Sequence, residues 1–239
     1  MTFLEHLGEL RTRIIRIAVV LVVASGICLV FTPQVLTMIL RPYGAQLKVI
    51  SPTEGVSNYI RIGLTCGVIL AMPYILLEVW WFVSPGLLDR ERRFAWAVIP
   101  SAFLLFLGGA AFAWFLLIPT AIRFLATFSL GIFKTEWTSE NYIPFVTALL
   151  FWIGVSFEMP LLAFFLAKIR VLSARLLLKV WRYAIVLICI VAAIITPTVD
   201  PFNMMLVALP LVALYFVSIL LAALARRGEP SGPLPGSQG

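Results

Sequence analysis

Acids are rare in this chain, and a few stand where chemistry or recognition would need them. Glu158 lies within G-V-S-F-E-M-P, Gly154–Pro160, near the middle of a long apolar segment. An acid at that depth costs roughly 3 kcal/mol on insertion scales. Its carboxyl must be protonated and hydrogen-bonded between helices, or must face a polar concave surface and act there. The rule for intramembrane ionisable groups favours the second reading. Pro160 leaves the Ser156 carbonyl without its usual donor, so a kink is expected there. Glu91 lies in F-V-S-P-G-L-L-D-R-E-R-R, Phe82–Arg93, beside Arg90, Arg92 and Arg93. A carboxylate at a membrane surface suits a cationic peptide, while the same loop also reads as a plain positive-inside anchor. Glu9 is four residues from Arg13 and can pair with it on a helix, contributing little if exposed. Glu78, a turn from the end of its apolar run, is expected to reach the interface, with a buried functional role as the other reading. Asp200, in T-P-T-V-D-P (Thr196–Pro201), caps the next helix, serves a function, or does both.

Enzyme chemistry has no foothold. His6 is the single histidine. There is no H-E-x-x-H, no phosphate-binding glycine loop, no G-x-S-x-G and no pair of membrane aspartates. Neither catalysis nor a cofactor or metal is expected. Cys28, Cys66 and Cys189 fall inside apolar runs and read as small hydrophobes. The net charge of +7 does not indicate nucleic acid, because the basic residues form no stripe with interleaved aromatics.

These residues must be positioned by membrane helices. The chain is 62% hydrophobic and 12% charged, with a mean hydropathy of +1.06, where soluble domains are about 45–50% apolar. The expected fold is an all-α membrane protein with six transmembrane helices. The expected spans are 14–31, 62–83, 95–118 (stopped by Pro119), 143–167, 183–195 and 202–225. Residues 1–13 form an interfacial helix, and Val35–Leu40 a short helix lying against the membrane. The fifth run has only 13 residues, so helices five and six are expected to be short, with their turn set deep in a thinned bilayer. No cleavable signal peptide is expected. Residues 1–227 make one domain, and 228–239 a disordered, Pro/Gly-rich tail. Thirteen of the 18 lysines and arginines fall at the two termini and in the 83–96 and 168–182 loops. Both termini are therefore expected to be cytoplasmic.

Several segments together resemble one family. They are H-L-G-E-L-R-T-R (His6–Arg13), V-W-W-F-V-S-P-G-L-L-D-R-E-R-R (Val79–Arg93), G-V-S-F-E-M-P, R-Y (Arg182–Tyr183), T-P-T-V-D-P, A-L-P (Ala208–Pro210) and L-Y (Leu214–Tyr215). In this order they resemble the TatC family, the multispanning receptor subunit of the twin-arginine protein translocase. The resemblance implies a concave six-helix cup in the cytoplasmic membrane. It implies binding of twin-arginine signal peptides through Glu9, Arg11, Phe82, Glu91 and Arg93. Pro42, Glu158 and Asp200 match further positions the family uses. Implied too are single-span partners of the TatA and TatB type, lipid contacts, oligomerisation within the translocase, and export of folded proteins driven by the proton-motive force. The chain departs from the family at T-P-T-V-D-P with Phe202 and Asn203, where a shorter turn and Ser-Gln are common, and at Phe216, where Glu is frequent. The alternative is a proton-coupled small-solute transporter using Glu158. Bidentate carboxylates distinguish arginine's planar fork from lysine, which suits the receptor reading.

Overall fold

Apolar runs of this length leave the backbone no water to bond, so each closes its own ladder as a helix. The computed structural model describes residues 3–44, 46–83, 89–128, 137–196 and 200–227. Among the described residues eight α-helices follow in order: α1 (Phe3–Leu40), α2 (Pro52–Val83), α3 (Asp89–Phe112), α4 (Ile118–Phe128), α5 (Ser139–Ser156), α6 (Met159–Lys168), α7 (Ala174–Ile195) and α8 (Pro201–Arg227). A π-turn, Ala113–Leu117, joins α3 to α4. A two-residue turn joins α5 to α6. The result is six membrane-length helical spans; the fifth and sixth, 22 and 25 residues, are shorter than the other four at 29–33. Ser84–Leu88, Lys134, Glu136, Pro197–Val199 and the tail 228–239 lie outside the described residues, as do the side chains of Phe3–Leu7 and of Asp89–Arg93.

Several boundaries differ from the sequence expectation. The second helix begins at Pro52, well before the expected residue 62. The interfacial helix, the first span and the short outer helix are one 38-residue helix, α1, with Pro33 inside it. Pro33 withholds the donor that the Leu29 carbonyl would take. The Tyr59 hydroxyl of α2 supplies it instead, at 2.7 Å. Pro119 likewise does not stop the third span. The chain widens into the π-turn just before it, Ile118 N–H bonding back to the Ala113 carbonyl, and the Thr120 hydroxyl donates to the Leu116 carbonyl at 2.6 Å. The fifth helix starts at Ala174, not Tyr183, because Ser173 caps it by accepting from Leu176 N–H. Its 22 residues rise about 33 Å. The 13-residue apolar run is only its second half, and Arg175, Lys179 and Arg182 line the first. The expected kink is present: α5 ends at Ser156 and α6 begins at Met159.

Helix α5 forms the centre of the bundle. Tyr142, Phe145, Val146, Leu149 and Ile153 are almost wholly buried, packed with Ile39, Ile62, Leu117 and Ile118. Along the α1–α2 seam, Gly67 lies directly against the Ser25 backbone; a Cβ there would stand 2.6 Å from the Ser25 Cα. Close approach through small residues is the usual glue between helices in lipid. Gly67→Ala should therefore force the seam apart and lower stability by about 1–3 kcal/mol, read as a reduced thermal midpoint in detergent. Gly26→Ala, with nothing within 4 Å of its Cβ position, should leave the midpoint unchanged.

Candidate functional site

Several of the described charges meet at the end of the bundle where α1 begins and α2 finishes. Arg13, five residues after Gly8, projects from α1 across to α2. Its Nε donates to Glu9 Oε1 at 3.1 Å, and its Nη2 donates to the same oxygen. Nη1 donates to Glu78 Oε2 at 2.9 Å, and Nη2 also reaches the Trp81 carbonyl at 3.2 Å. Glu78 is held from its other oxygen by the Tyr74 hydroxyl at 2.7 Å, with Arg16 at 3.9 Å. Helical spacing produces this cluster: 9, 13 and 16 share one face of α1, and 74, 78 and 81 one face of α2. The Glu9–Arg13 pair is as expected from spacing.

Glu78 is the residue whose place sequence reasoning missed. It does not reach the interface, since its side chain is 1% exposed. The available signal was Arg13 and Arg16, whose charges on a facing helix give a buried acid its partners. Of the other expected residues, Arg11 is exposed and Phe82 half-buried, one residue beyond the carbonyl that Arg13 grips. The backbone of Glu91 and Arg93 forms the first turns of α3, and their side chains lie outside the described residues.

Glu158 stands apart, at the α5–α6 break. It is 4% exposed, and its Oε1 has no hydrogen-bond partner among the described residues. It does not face lipid. Among the described residues, the adjoining cavity, about 120 Å³, is walled mainly by apolar side chains including Leu76, Trp80, Ile99 and Phe165. Proline two residues on ends one helix and starts another, which is why the acid sits at a corner rather than in a regular turn.

Pro42 and Asp200 belong to the far end. Pro42 lies in the turn after α1, some 33 residues and hence about 50 Å along the helix from Glu9. That turn is tied down by neutral bonds: Tyr142 hydroxyl to the Ile39 carbonyl at 2.8 Å, Trp137 N–H to the Tyr43 hydroxyl at 3.2 Å. Asp200 caps α8, accepting from Asn203 N–H at 2.7 Å and from the Asn203 amide at 2.9 Å. The expected residues thus form an end cluster, a midspan acid and a far-end pair, not one site.

The family model of the Sec-independent protein translocase protein (TatC) matches residues 5–210. The chain belongs to the TatC family. It is 37% identical to the Sec-independent protein translocase protein TatC of Koribacter versatilis over 94% of this chain and 86% of that protein. It is 34% identical to the chloroplastic TATC of Arabidopsis thaliana over 95% of this chain and 68% of that one. The crystal structure of the twin arginine translocase receptor TatC superposes with a TM-score of 0.85 at 35% identity, covering 92% of this chain and 99% of that chain.

A buried carboxyl with an unbonded oxygen destabilises the fold that holds it. Glu158→Leu should raise the thermal midpoint, by the equivalent of about 1–3 kcal/mol, while lowering protein export in cells. A lower midpoint for the leucine variant would mean that Glu158 is structural after all.

Proposed function

We propose that this chain is the signal-peptide receptor of a twin-arginine protein translocase. Its helices form a six-span cup in the cytoplasmic membrane, with both termini on the cytoplasmic side. The paired arginines of the signal peptide dock at the Glu9 end, on Glu9, Arg11, Phe82, Glu91 and Arg93. Single-span partners of the TatA and TatB type, lipids and further copies of the chain complete the translocase, which exports folded proteins. Glu158, Pro42 and Asp200 serve the path and its assembly. The chain has no nucleotide-binding motif, and membership of the TatC family implies the proton-motive force as the energy source.

One observation carries this reading. The Glu9 end already holds a guanidinium, that of Arg13, between two carboxylates and a carbonyl. Groups in that geometry bind arginine through its fork and treat lysine as a lone point charge. The solute-transporter alternative lacks support, because small-molecule pockets run to about 300–1,000 Å³ and the midspan cavity is about 120 Å³.

Fluorescence titration of the purified chain with a twin-arginine signal peptide and its twin-lysine counterpart tests the reading. The arginine peptide should bind tighter by about tenfold or more, the scale of one charge-assisted hydrogen bond. Glu91→Ala should erase most of the difference, Glu91→Asp less of it, and Glu9→Ala part of it. Equal affinities for the two peptides would overturn it.

A further inference from the structure

At rest, a carboxylate assigned to the incoming arginine is already engaged by an arginine of the chain itself. Two Arg13 nitrogens donate to Glu9 Oε1, while a third holds Glu78. The two acids differ in access. The Glu9 side chain is 24% exposed and the Glu78 side chain 1%. A peptide can reach Glu9 but not Glu78. Building on the receptor reading above, we propose that Arg13 is an internal competitor for Glu9, and that Glu78 is the positioning residue that keeps this competition weak.

The physical reason lies in what happens to Arg13 when Glu9 turns to a peptide. Its side chain is 13% exposed, so a guanidinium left without an anion there would be strongly disfavoured. Glu78 and the Trp81 carbonyl remain as its partners, and no buried charge is stranded in either state. Glu78 in turn stays fixed by Tyr74. Arg16, 56% exposed and 3.9 Å away, is solvated whether or not it pairs. Glu9 is therefore exchangeable: it trades one arginine for another while the seam between α1 and α2 stays closed. Without Glu78, Glu9 would be the one carboxylate left to Arg13 among the described residues, and Arg13 would hold it against the peptide.

The test is a set of binding titrations of the purified full chain with a fluorescent twin-arginine peptide. It compares wild type, Glu9→Ala, Glu78→Gln, Arg13→Gln and the double variant Arg13→Gln/Glu78→Gln. Glu78→Gln should weaken binding about tenfold. Arg13→Gln should bind at least as tightly as wild type. The double variant should return to wild-type affinity, because removing the competitor makes its restraint unnecessary. A merely structural salt bridge would not be rescued by losing its second partner. The proposal is overturned if Arg13→Gln weakens binding as much as Glu9→Ala, or if the double variant stays as weak as Glu78→Gln. Should Glu78→Gln fail to fold, Arg13→Gln alone decides, since a competitor's removal cannot weaken binding. If Glu9→Ala binds like wild type while Glu91→Ala does not, the competition proposal fails and the receptor reading stands. If neither variant weakens binding, the receptor reading itself fails.

Discussion

No polar group within these spans can be left to lipid, and much of what is particular to this chain follows from where each one finds its partner. The Leu29 carbonyl, freed by Pro33, is met by Tyr59 from the neighbouring helix. The hydroxyls of Thr32, Thr65, Thr147 and Ser218 each bond back to a carbonyl one turn earlier in their own helix. The Arg13 guanidinium is divided among Glu9, Glu78 and Trp81. These bonds allow prolines and charges inside long helices and also fix which helices must be neighbours. Among the described residues a few buried side-chain atoms have no such bond, Ser25 Oγ and Glu158 Oε1 among them, and Glu158 lies against an apolar wall. A buried carboxyl oxygen left without a hydrogen bond is held at a cost to the fold.

The two ends of the bundle are built differently. At the far end the turn after α1 is clamped by neutral bonds and aromatic contacts around Tyr43, Trp137 and Tyr142. Beneath it, Glu54 accepts from Ile50 N–H, Ser51 N–H and the Ser139 hydroxyl at 2.6–3.1 Å. These bonds have single, well-placed partners and hold one arrangement. At the Glu9 end the bonds are ionic and shared, with more than one carboxylate for one guanidinium. Shared ionic partners can be exchanged at little net cost, which suits the arginine docking proposed for this end.

The sequence made the number of membrane spans legible, because apolar length and charge interruption alone set it. The α5–α6 kink was legible from Pro160 and the α8 cap from Asp200. Helix boundaries were less so. Pro33 and Pro119 read as breaks, and only tertiary partners or a π-turn show that the helix runs on. The start of α2 was in fact written locally: Ser51-Pro52-Thr53-Glu54 places a capping serine, a first-turn proline and a reciprocal glutamate in the preferred order. The Glu9–Arg13 pair could be read from spacing. The place of Glu78 could not, since its partner is 65 residues away and only the packing of α1 on α2 brings them together. The apolar wall beside Glu158 was illegible for a related reason: composition shows that an acid is buried, not which side chains line the space next to it.

The central claim is that a twin-arginine peptide docks at the Glu9 end of the bundle, far from Pro42 and Asp200. Photo-crosslinking tests it most directly. A photoreactive amino acid is placed beside the arginine pair of a signal peptide, which is irradiated with the chain in native membranes, and the adducts are mapped by mass spectrometry. Adducts are expected on Glu9–Arg13 and on the segment from Phe82 to Arg93, and should disappear when the arginine pair is replaced by lysines. Adducts concentrated around Pro42 or Asp200, or indifferent to that replacement, would contradict the account.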